Sequence, residues 1–244
     1  MIKVDAINKS FGDKVVLNNF SSNFESGKIN LIIGRSGSGK TIAIKCMLGL
    51  HEVDSGAIFF DKRNFSVIND IQRKKIRKEI GVVFQGSALF DSMSVFENVM
   101  FPLRMSERMS VREMKQRVDF CLNRVDLKGA HDLFPSELSG GMQKRVAIAR
   151  AISLNPKYLF CDEPNSGLDP TTATVIDNLL KEITYENGIT TVINTHDMNS
   201  VVDIGDHIVF IKEGVKKWEG DKKNFLSSKN KDLCEFKSSS KLFV

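Results

Sequence analysis

The hydrophobic residues of this chain first form short runs of the kind that build β-sheets. The segment "KINLIIG" (28–34) is almost continuously apolar, which is the pattern of a strand buried on both faces. It leads directly into the glycine-rich "GRSGSGKT", after which "IAIKCMLGL" is predicted to be helical. Further strands are predicted at other apolar runs: "MIKVDAI", "KVVLNNF", "GAIFFD", "IGVVF", "KYLFCD" (157–162), "ITTVINT" and "HIVFI".

From about residue 94 to 153 the pattern changes to the three-to-four spacing of amphipathic helices. The apolar positions of one predicted helix are Val111, Met114, Val118, Cys121 and Val125. A second helical pattern, "TTATVIDNLLKEIT", separates the later strands. The sequence therefore predicts an α/β core that is interrupted by an all-helical insertion. The last twenty or so residues are rich in lysine and serine, and we expect them to be loosely ordered or attached to another molecule.

The composition is that of an ordinary globular chain. Of the 244 residues, 41% are hydrophobic and 27% are charged, and the formal net charge is +5. Much of this mild charge comes from nine lysines between residues 212 and 241, a run of the kind that is usually a solvated tail. The charge alone therefore does not indicate nucleic-acid binding. The four cysteines have no CxxC spacing, which indicates reduced thiols. No run resembles a signal peptide or reaches the ~18 apolar residues of a membrane span. We therefore expect a cytoplasmic location, or a cytoplasmic membrane face reached through a partner.

One segment fits the phosphate-binding pattern GxxxxGK[ST]. Glycines let successive backbone N–H groups turn towards phosphate oxygens, lysine neutralises the β- and γ-phosphate charges, and a threonine hydroxyl can bind Mg²⁺. The predicted strand before this loop and the helix after it are the context that the motif requires. The expected nucleotide-binding residues are Gly34, Arg35, Ser36, Gly37, Ser38, Gly39, Lys40 and Thr41.

Several polar residues follow predicted strands, where α/β sheets place their ligands. Phosphoryl-transfer sites need a carboxylate for the Mg²⁺ shell, so we expect Asp162 to support Mg²⁺ and Glu163 to polarise the attacking water. The amide of Gln85 could reach Mg²⁺ or water, and the imidazole of His196 could hydrogen-bond a γ-phosphate. Phe11, beside a predicted turn, could stack on adenine.

A second glycine-rich segment, "LSGGMQ" (138–143), opens another predicted helix. The bare N–H groups at a helix start, together with the positive end of its dipole, favour an anion. Lys40 of the first loop and Ser139 of the second are 99 residues apart. The chain therefore carries two separate loops that suit phosphate groups.

The order of these motifs resembles that of the nucleotide-binding subunit of ATP-binding cassette (ABC) transporters. An aromatic residue, the phosphate loop, a glutamine, "LSGGMQ", "DE", "SGLD" and a histidine follow one another between residue 1 and about 225. The resemblance implies an α/β fold with a P-loop NTPase (RecA-like) core, an antiparallel β subdomain and an inserted α-helical subdomain. Within a single domain it places the core at about 1–85 and 155–225, the helical subdomain at about 86–154 and a C-terminal tail at about 226–244.

The resemblance also implies ATP and Mg²⁺ as cofactors and a second copy of the chain as a partner, packed head to tail. The second loop would then close over the ATP of the partner copy, through Ser139, Gly140 and Gly141. Asp169 of "SGLDP" would link the two sites.

The resemblance further assigns roles to single residues. The implied catalytic residues are Glu163 as base, His196 as stabiliser of the transferring phosphate and Gln85 as nucleotide sensor. The implied Mg²⁺ ligands are Thr41, Gln85 and Asp162. The chain departs from the family at Phe11, which lacks the hydroxyl of the usual tyrosine, and at Ile42, where many members have threonine or serine.

The stretch "FQGSALFDSMSVFENVMFPL" (84–103) resembles the ATPase of Mce/Mla-type phospholipid transport systems, in which "GALFDSMTVxENVxxPL" is usual. This implies an integral membrane permease and an Mce-domain lipid-binding protein as partners, no nucleic acid, and a peripheral position on the cytoplasmic face of the inner membrane. One alternative is an ABC ATPase for another cargo, such as amino-acid import or lipoprotein release. Another is a soluble ABC protein acting on nucleic acid or ribosomes, although the chain has neither a long heptad insertion nor a second cassette.

The same stretch contains more apolar residues than a connecting segment needs. Those at helical spacing, which we expect in the core, are Val95, Phe96, Val99 and Leu103. Those that precede the helix, which we expect to stay exposed and to dock the permease, are Leu89, Phe90 and Met93. Aromatic residues are frequent interface anchors, so Phe90 is the expected anchor of this docking surface.

Overall fold

The structure is a computed structural model that describes residues 1–106 and 109–239. Within these ranges the strands are β1 Ile2–Phe11, β2 Lys14–Phe24, β3 Ile29–Ile33, β4 Ser55–Phe60, β5 Arg63–Asn64, β6 Ile80–Val83, β7 Tyr158–Asp162, β8 Thr190–Thr195, β9 His207–Lys212 and β10 Val215–Asp221. The helices are α1 Lys40–Met47, α2 Asp70–Arg77, α3 Val95–Ser106, α4 Val111–Arg124, α5 Gly140–Ile152, α6 Pro170–Asn187, α7 Met198–Ile204, α8 Lys222–Ser227 and α9 Lys231–Ser238, with a 3₁₀ turn at Pro135–Glu137. None of the described helices is both long enough and apolar enough to cross a lipid bilayer.

The described residues divide into two compact units. One unit comprises residues 1–77 together with those from 184 onward, and the other comprises residues 78–183. The boundaries predicted for the core, the helical subdomain and the tail remain a prediction.

A mainly parallel sheet forms the centre of the first unit. Strand β3 pairs in parallel with β8 on one side and with β9 on the other, and β10 joins β9 antiparallel. Every residue of β3 and of β8 is buried, as expected for strands covered on both faces. The one polar residue of β3, Asn30, donates from Nδ2 to the Thr191 carbonyl at 3.0 Å and accepts from the Glu25 amide at 2.7 Å. Its burial is therefore compensated by hydrogen bonds.

A second, antiparallel sheet with strand order β2-β1-β4-β5 also belongs to the first unit. Its inward side chains alternate with exposed ones along β1, which is the period-2 pattern of a half-buried strand. The large buried residues Phe20, Phe24 and Phe60 fill the interior that this sheet covers. The predicted antiparallel β subdomain is confirmed.

The second unit contains the parallel strand pair β6 and β7 and the helices α3, α4 and α5, which pack on one another. The buried side chains of these helices include Val95, Val99, Leu103, Val118, Cys121, Val146 and Ile148. A helical insertion in an α/β fold is therefore confirmed. Val111, the first of the apolar positions at helical spacing, is 66% exposed. Val111 is the first residue of α4, where the capping box of Ser110 and Glu113 starts the helix outside the core.

The C-terminal residues are more ordered than the sequence suggested. The expectation of a loosely ordered tail is wrong for the described residues, because 222–227 and 231–238 form α8 and α9. Phe225, Leu233 and Phe236 are buried, and the rings of Phe236 and Phe210 stack with their centroids 5.1 Å apart. Three apolar anchors in a lysine-rich segment are enough to fold it onto β9 and β10. Residues 240–244 lie outside the described part.

Candidate nucleotide-binding site

The phosphate loop lies in the first unit, between the end of β3 at Ile33 and the start of α1 at Lys40. Two of its glycines are required by their surroundings. A Cβ at Gly34 would overlap the carbonyl oxygen of Ile211 and lie 2.7 Å from Ser38 Oγ. At Gly39, φ is 107° and a Cβ would lie 2.9 Å from the carbonyl oxygen of Val16. The glycines therefore let the loop pass close to other backbone, as a phosphate cradle needs.

The polar groups of this loop include a buried ammonium and a buried hydroxyl. Lys40 is buried, and its ammonium donates to the carbonyls of Gly34 at 2.9 Å and Arg35 at 3.2 Å. Ser38 Oγ is buried and has no hydrogen-bond partner among the residues that the structure describes. Gly39, the N-cap residue of α1, has no side chain to cap the first N–H groups of the helix, and the described residues show no side-chain capping bond from it. A phosphate fits these three observations, because it accepts from backbone N–H, hydroxyl and ammonium groups together.

Thr41 lies next to a residue that the sequence motifs did not single out. Asn194, buried in β8, donates from Nδ2 to Thr41 Oγ1 at 3.3 Å. His196 follows the end of β8 and is exposed. The sequence singles out no role for Asn194, because β8 (TTVINT) contains several other polar residues.

The second unit holds the two acids at the carboxyl end of β7. Asp162 is the last residue of that strand, and Glu163 follows it with a left-handed φ of 45°. Gln85 Nε2 donates to Glu163 Oε2 at 3.2 Å and lies 3.3 Å from Ser166 Oγ. Gln85 and Glu163 were predicted separately, from the ends of β6 and β7, and the structure brings them together.

A buried cation stands behind this pair. Lys144 of α5 is 5% exposed, and its Nζ donates to the backbone carbonyl of Gln85. Burial lowers the pKa of Lys144, and this shift is opposed by Cys161, Asp162 and Glu163 nearby. No sequence pattern predicted this contact, because a lysine in a helix is most often solvated.

The second glycine-rich loop caps α5. Ser139 is the N-cap residue, and its Oγ accepts from the Met142 amide at 3.3 Å. Gly140 is exposed, while a Cβ on Gly141 would lie only 2.6 Å from Thr172 Cγ2. Thr172 also binds the predicted inter-site residue, donating from its amide to Asp169 Oδ1 at 3.0 Å and from its hydroxyl to Oδ2 at 2.5 Å.

These two bonds hold the pKa of Asp169 below its usual range. Thr172 therefore joins the "LSGG" loop and the "SGLD" loop within one unit.

The predicted aromatic contacts differ in exposure. Phe11 is 44% exposed; its ring lies nearly perpendicular to that of His51, with centroids 5.2 Å apart, and Lys9 Nζ lies over it at 5.3 Å from the centroid. Of the predicted docking residues, Phe90 is 40% exposed, whereas Leu89 and Met93 are half-buried. The Phe90 ring contacts Phe101 at 4.8 Å between centroids. Phe90 therefore offers the largest apolar surface of the three.

Comparisons with known proteins identify the family. The family model described as "ABC transporter" matches residues 17–166. The methionine import ATP-binding protein MetN of Campylobacter jejuni is 39% identical, over 88% of this chain and 68% of that protein. The intermembrane phospholipid transport system ATP-binding protein MlaF of Haemophilus influenzae is 35% identical, over 97% of this chain and 89% of that protein.

A solved structure is similar as well. The dimeric post-hydrolysis state of the ATP-binding cassette MJ0796, bound to ADP and Pi, has a TM-score of 0.83 and 34% identity, over 91% of this chain and 99% of that one. The match extends over the phosphate loop and the acids after β7, and the proteins matched are ATP-binding subunits. The chain therefore belongs to the ABC transporter family, as an ATP-hydrolysing domain.

Proposed function

We propose that the chain drives phospholipid transport by an Mce/Mla-type ABC transporter and that Glu163 is its catalytic base. The hydrogen bond from Gln85 Nε2 to Glu163 Oε2, 3.2 Å long, carries the catalytic part of this proposal. A carboxylate that accepts a hydrogen bond from an amide is held in one orientation, as a general base must be. The left-handed backbone of Glu163 also supports a catalytic role, because such strain collects at functional sites.

ATP is the nucleotide that the residues of the phosphate loop fit. The N–H groups from Arg35 to Thr41 and the hydroxyl of Ser38 would bind phosphate oxygens. The ammonium of Lys40 would exchange its two carbonyl acceptors for phosphate oxygens. Phe11 would stack on the adenine. When bound, ATP supplies the phosphoryl group that is transferred to water.

Mg²⁺ fits the donor set that the resemblance assigns to it. Thr41, Gln85 and Asp162 offer a hydroxyl, an amide and a carboxylate oxygen, and Mg²⁺ prefers such ligands alongside substrate phosphates. Asn194 fixes the Thr41 hydroxyl by donating to its oxygen. His196 would donate to the γ-phosphate.

A second copy of the chain would complete the site. The trans contacts would come from Ser139, Gly140 and Gly141, of which the first two are exposed. Asp169 would communicate between the two sites, since it shares Thr172 with the "LSGG" loop. The dimeric cassette MJ0796 supports this assembly by its similarity to the chain.

The phospholipid cargo rests on two observations. The 84–103 stretch resembles Mce/Mla-type ATPases, and the phospholipid-transport protein MlaF matches 97% of this chain. The partners would be an integral membrane permease, docked at Leu89, Phe90 and Met93, and an Mce-domain lipid-binding protein. The chain would then lie peripherally on the cytoplasmic face of the inner membrane, through the permease. A methionine importer is the second candidate, because the MetN protein is 39% identical.

The catalytic proposal is tested by Glu163→Gln in the assembled transporter. The amide keeps the size of the side chain but cannot accept a proton, so the ATPase kcat should fall about 10²-fold or more. Binding of a fluorescent ATP analogue should survive, and ATP should accumulate dimers. Glu186→Gln, at an exposed position of α6, is the matched control and should keep the wild-type kcat. Near-normal hydrolysis by Glu163→Gln would reject Glu163 as the base.

The cargo proposal is tested on the complex purified from membranes through a tag on this chain. Mass spectrometry identifies the co-purified chains and bound lipids, and the complex is then reconstituted in vesicles with fluorescent phospholipid. ATP-dependent movement of that lipid, lost in Glu163→Gln, is the expected result. Methionine-stimulated hydrolysis without lipid movement would replace the phospholipid assignment with methionine transport.

A further inference from the structure

The backbone that carries Gln85 is held in a conformation that it would not adopt alone. We name residues 85–90 the Gln85–Phe90 segment. Ser87 and Ala88 are consecutive non-glycine residues with left-handed φ values of 62° and 49°. Such residues cost free energy and persist only where the surroundings hold them. The segment therefore depends on external contacts to keep its shape.

Two cations of α5 supply several of those contacts, in addition to Asn98 of α3, which hydrogen-bonds Phe90. Lys144 donates to the Gln85 carbonyl. Arg150 donates to the carbonyls of Ala88 at 2.7 Å and Ser87 at 2.8 Å, and its guanidinium lies 5.9 Å from the centre of the Phe90 ring. Lys144 and Arg150 thus hold both ends of the Gln85–Phe90 segment.

The same helix begins at the "LSGG" loop. Lys144 is five residues after the N-cap Ser139, which is about one and a half turns of helix. Helix α5 therefore connects the "LSGG" loop, which is proposed to contact the ATP of the partner copy, with the backbone of Gln85, which is proposed to sense the ATP bound by the same copy.

Stability alone does not require a lysine at this position. Burying an ammonium costs free energy even when it is hydrogen-bonded, and an apolar side chain of similar volume is often neutral or stabilising in such places. A functional role for the hydrogen bond from Lys144 to the Gln85 carbonyl would explain why a buried ammonium is present here.

We propose that Lys144 is a positioning residue that sets the Gln85 side chain on Glu163 from the helix that begins at the "LSGG" loop. Arg150 is the second anchor of the same segment. The inference rests on the proposed roles of Glu163 and Gln85. Closure of the partner copy on the "LSGG" loop would then move Gln85 through Lys144.

The first test compares Lys144→Met with Lys144→Arg in the assembled transporter. Loss of a hydrogen bond to a charged group should lower the ATPase kcat about 10-fold or more, with KM for ATP changed less than about threefold. Lys144→Arg should recover most of kcat, because its guanidinium can still donate to the carbonyl. The thermal transition should stay within a few degrees of wild type. If Lys144→Met does not fold, Lys144→Leu, which also lacks a donor, takes its place with the same expectation.

A neighbouring cation supplies the matched control. Arg145 of α5 donates to the carbonyl of Asp126 at 3.1 Å and that of Val125 at 3.5 Å, so it makes similar bonds to a different segment. Arg145→Met should therefore lower the thermal transition without the selective loss of kcat. An equal fall of kcat and stability in both variants would overturn the inference and make Lys144 a structural residue.

A double-mutant cycle shows whether Lys144 acts through Gln85. Once Gln85→Ala has removed the side chain to be positioned, adding Lys144→Met should slow hydrolysis no further. Multiplying losses would overturn the inference in favour of a direct effect on the acids. The ATPase turnover of Glu163→Gln is measured in parallel. If Glu163→Gln keeps its turnover, the proposed catalytic role of Glu163 is rejected. If Glu163→Gln loses turnover but Lys144→Met does not, only the proposed role of Lys144 is rejected.

Discussion

The glycine at position 34 shows how closely the phosphate loop depends on single residues. Gly34 combines a φ of 155° with a Cβ position that would overlap the Ile211 carbonyl, whereas at Gly37 a Cβ would meet no atom within 4 Å and only the φ of 78° is unusual. A clash with backbone cannot be relieved by a rotamer change. The cradle therefore tolerates strain at Gly37 better than volume at Gly34.

We accordingly expect Gly34→Ala to weaken ATP binding at least about 10-fold and to destabilise the fold by about 1–3 kcal/mol. Gly37→Ala should cost about 1 kcal/mol, since it adds only backbone strain. Fluorescent-nucleotide titration and chemical denaturation of both variants measure these effects. Equal effects at the two positions would contradict the clash.

Glu219 of β10 makes the free energy of unfolding depend on pH. Burial alone would raise its pKa, but hydrogen bonds from His207, Lys216 and Ser22 outweigh burial and lower the pKa to about 2. Ser22 Oγ and His207 Nε2 lie 2.9 and 3.0 Å from Glu219 Oε1, and Lys216 pairs with Oε2. The carboxylate is therefore favoured in the folded protein over the unfolded one.

Because the folded pKa is depressed, this stabilisation is fully present above the ordinary pKa of 4.5 and is lost as the pH falls towards 2. The free energy of unfolding should decrease over that window by up to about 3 kcal/mol from this residue. Denaturant titrations at a series of pH values measure the slope. Glu219→Gln should flatten it.

At the scale of elements, α3 fixes the loop in front of it through one amide. Asn98 is fully buried, and its Oδ1 accepts from the Phe90 amide at 2.9 Å. Its Nδ2 donates to the carbonyls of Phe90, Met93 and Ser94 at 3.0 to 3.1 Å. The loop that carries the proposed docking surface is thus tied to the helix that follows it.

Asn98→Ala should therefore destabilise the protein by about 2–4 kcal/mol, because it leaves several backbone groups unpaired. Asn123→Ala, at an exposed position of α4, should change stability by less than about 0.5 kcal/mol. The midpoints of chemical denaturation compare the two. A small change at Asn98 would mean that water replaces its hydrogen bonds.

Elements with a strong local pattern were predictable, and those without one were not. β3 (INLII) is an almost continuous apolar run, and β8 (TTVINT) is rich in β-branched residues, so both were recognisable as strands. Helix α2 was not predicted, because Ile76 is its only buried residue and most of the others are polar. In the C-terminal segment, frequent lysine and serine hid Leu233 and Phe236, whose burial depends on strands distant in sequence.

The residues of the candidate site also divide into those that a local sequence pattern predicts and those that it does not. The phosphate loop and the acids were predictable because their spacing from strand ends is local. Lys144, Asn194 and Asn98 were missed, since each pairs with groups that no local pattern identifies.

At the scale of the whole molecule, the docking proposal predicts an effect on assembly without an effect on folding. Phe90→Asp should leave a folded chain that binds ATP but no longer co-purifies with its permease, because an aromatic anchor contributes about 2 kcal/mol or more. Phe120→Asp is the matched control, since Phe120 is 54% exposed and lies under Arg117 much as Phe90 lies under Arg150. Aggregation of Phe90→Asp alone would place Phe90 in the core, and normal co-purification would place the anchor elsewhere.

The proposed head-to-tail dimer can be tested with mixed dimers, in which the two copies carry different substitutions. Lys40→Ala should abolish ATP binding by its own loop, and Ser139→Arg should spare binding but block closure on the partner's nucleotide. A dimer that carries one change in each copy then has one site with both defects and one site with none. A dimer of the doubly changed chain with wild type has one defect in each site.

Trans sites therefore predict that the first dimer hydrolyses ATP faster than the second. Sites built within one chain predict the reverse order, because each copy of the first dimer would then be defective. Co-expression with two different tags isolates both dimers, and their turnover is compared in the assembled transporter. Equal, wild-type turnover of the two dimers would contradict any role for these loops. Loss of ATPase activity in both dimers would mean that hydrolysis requires two intact sites.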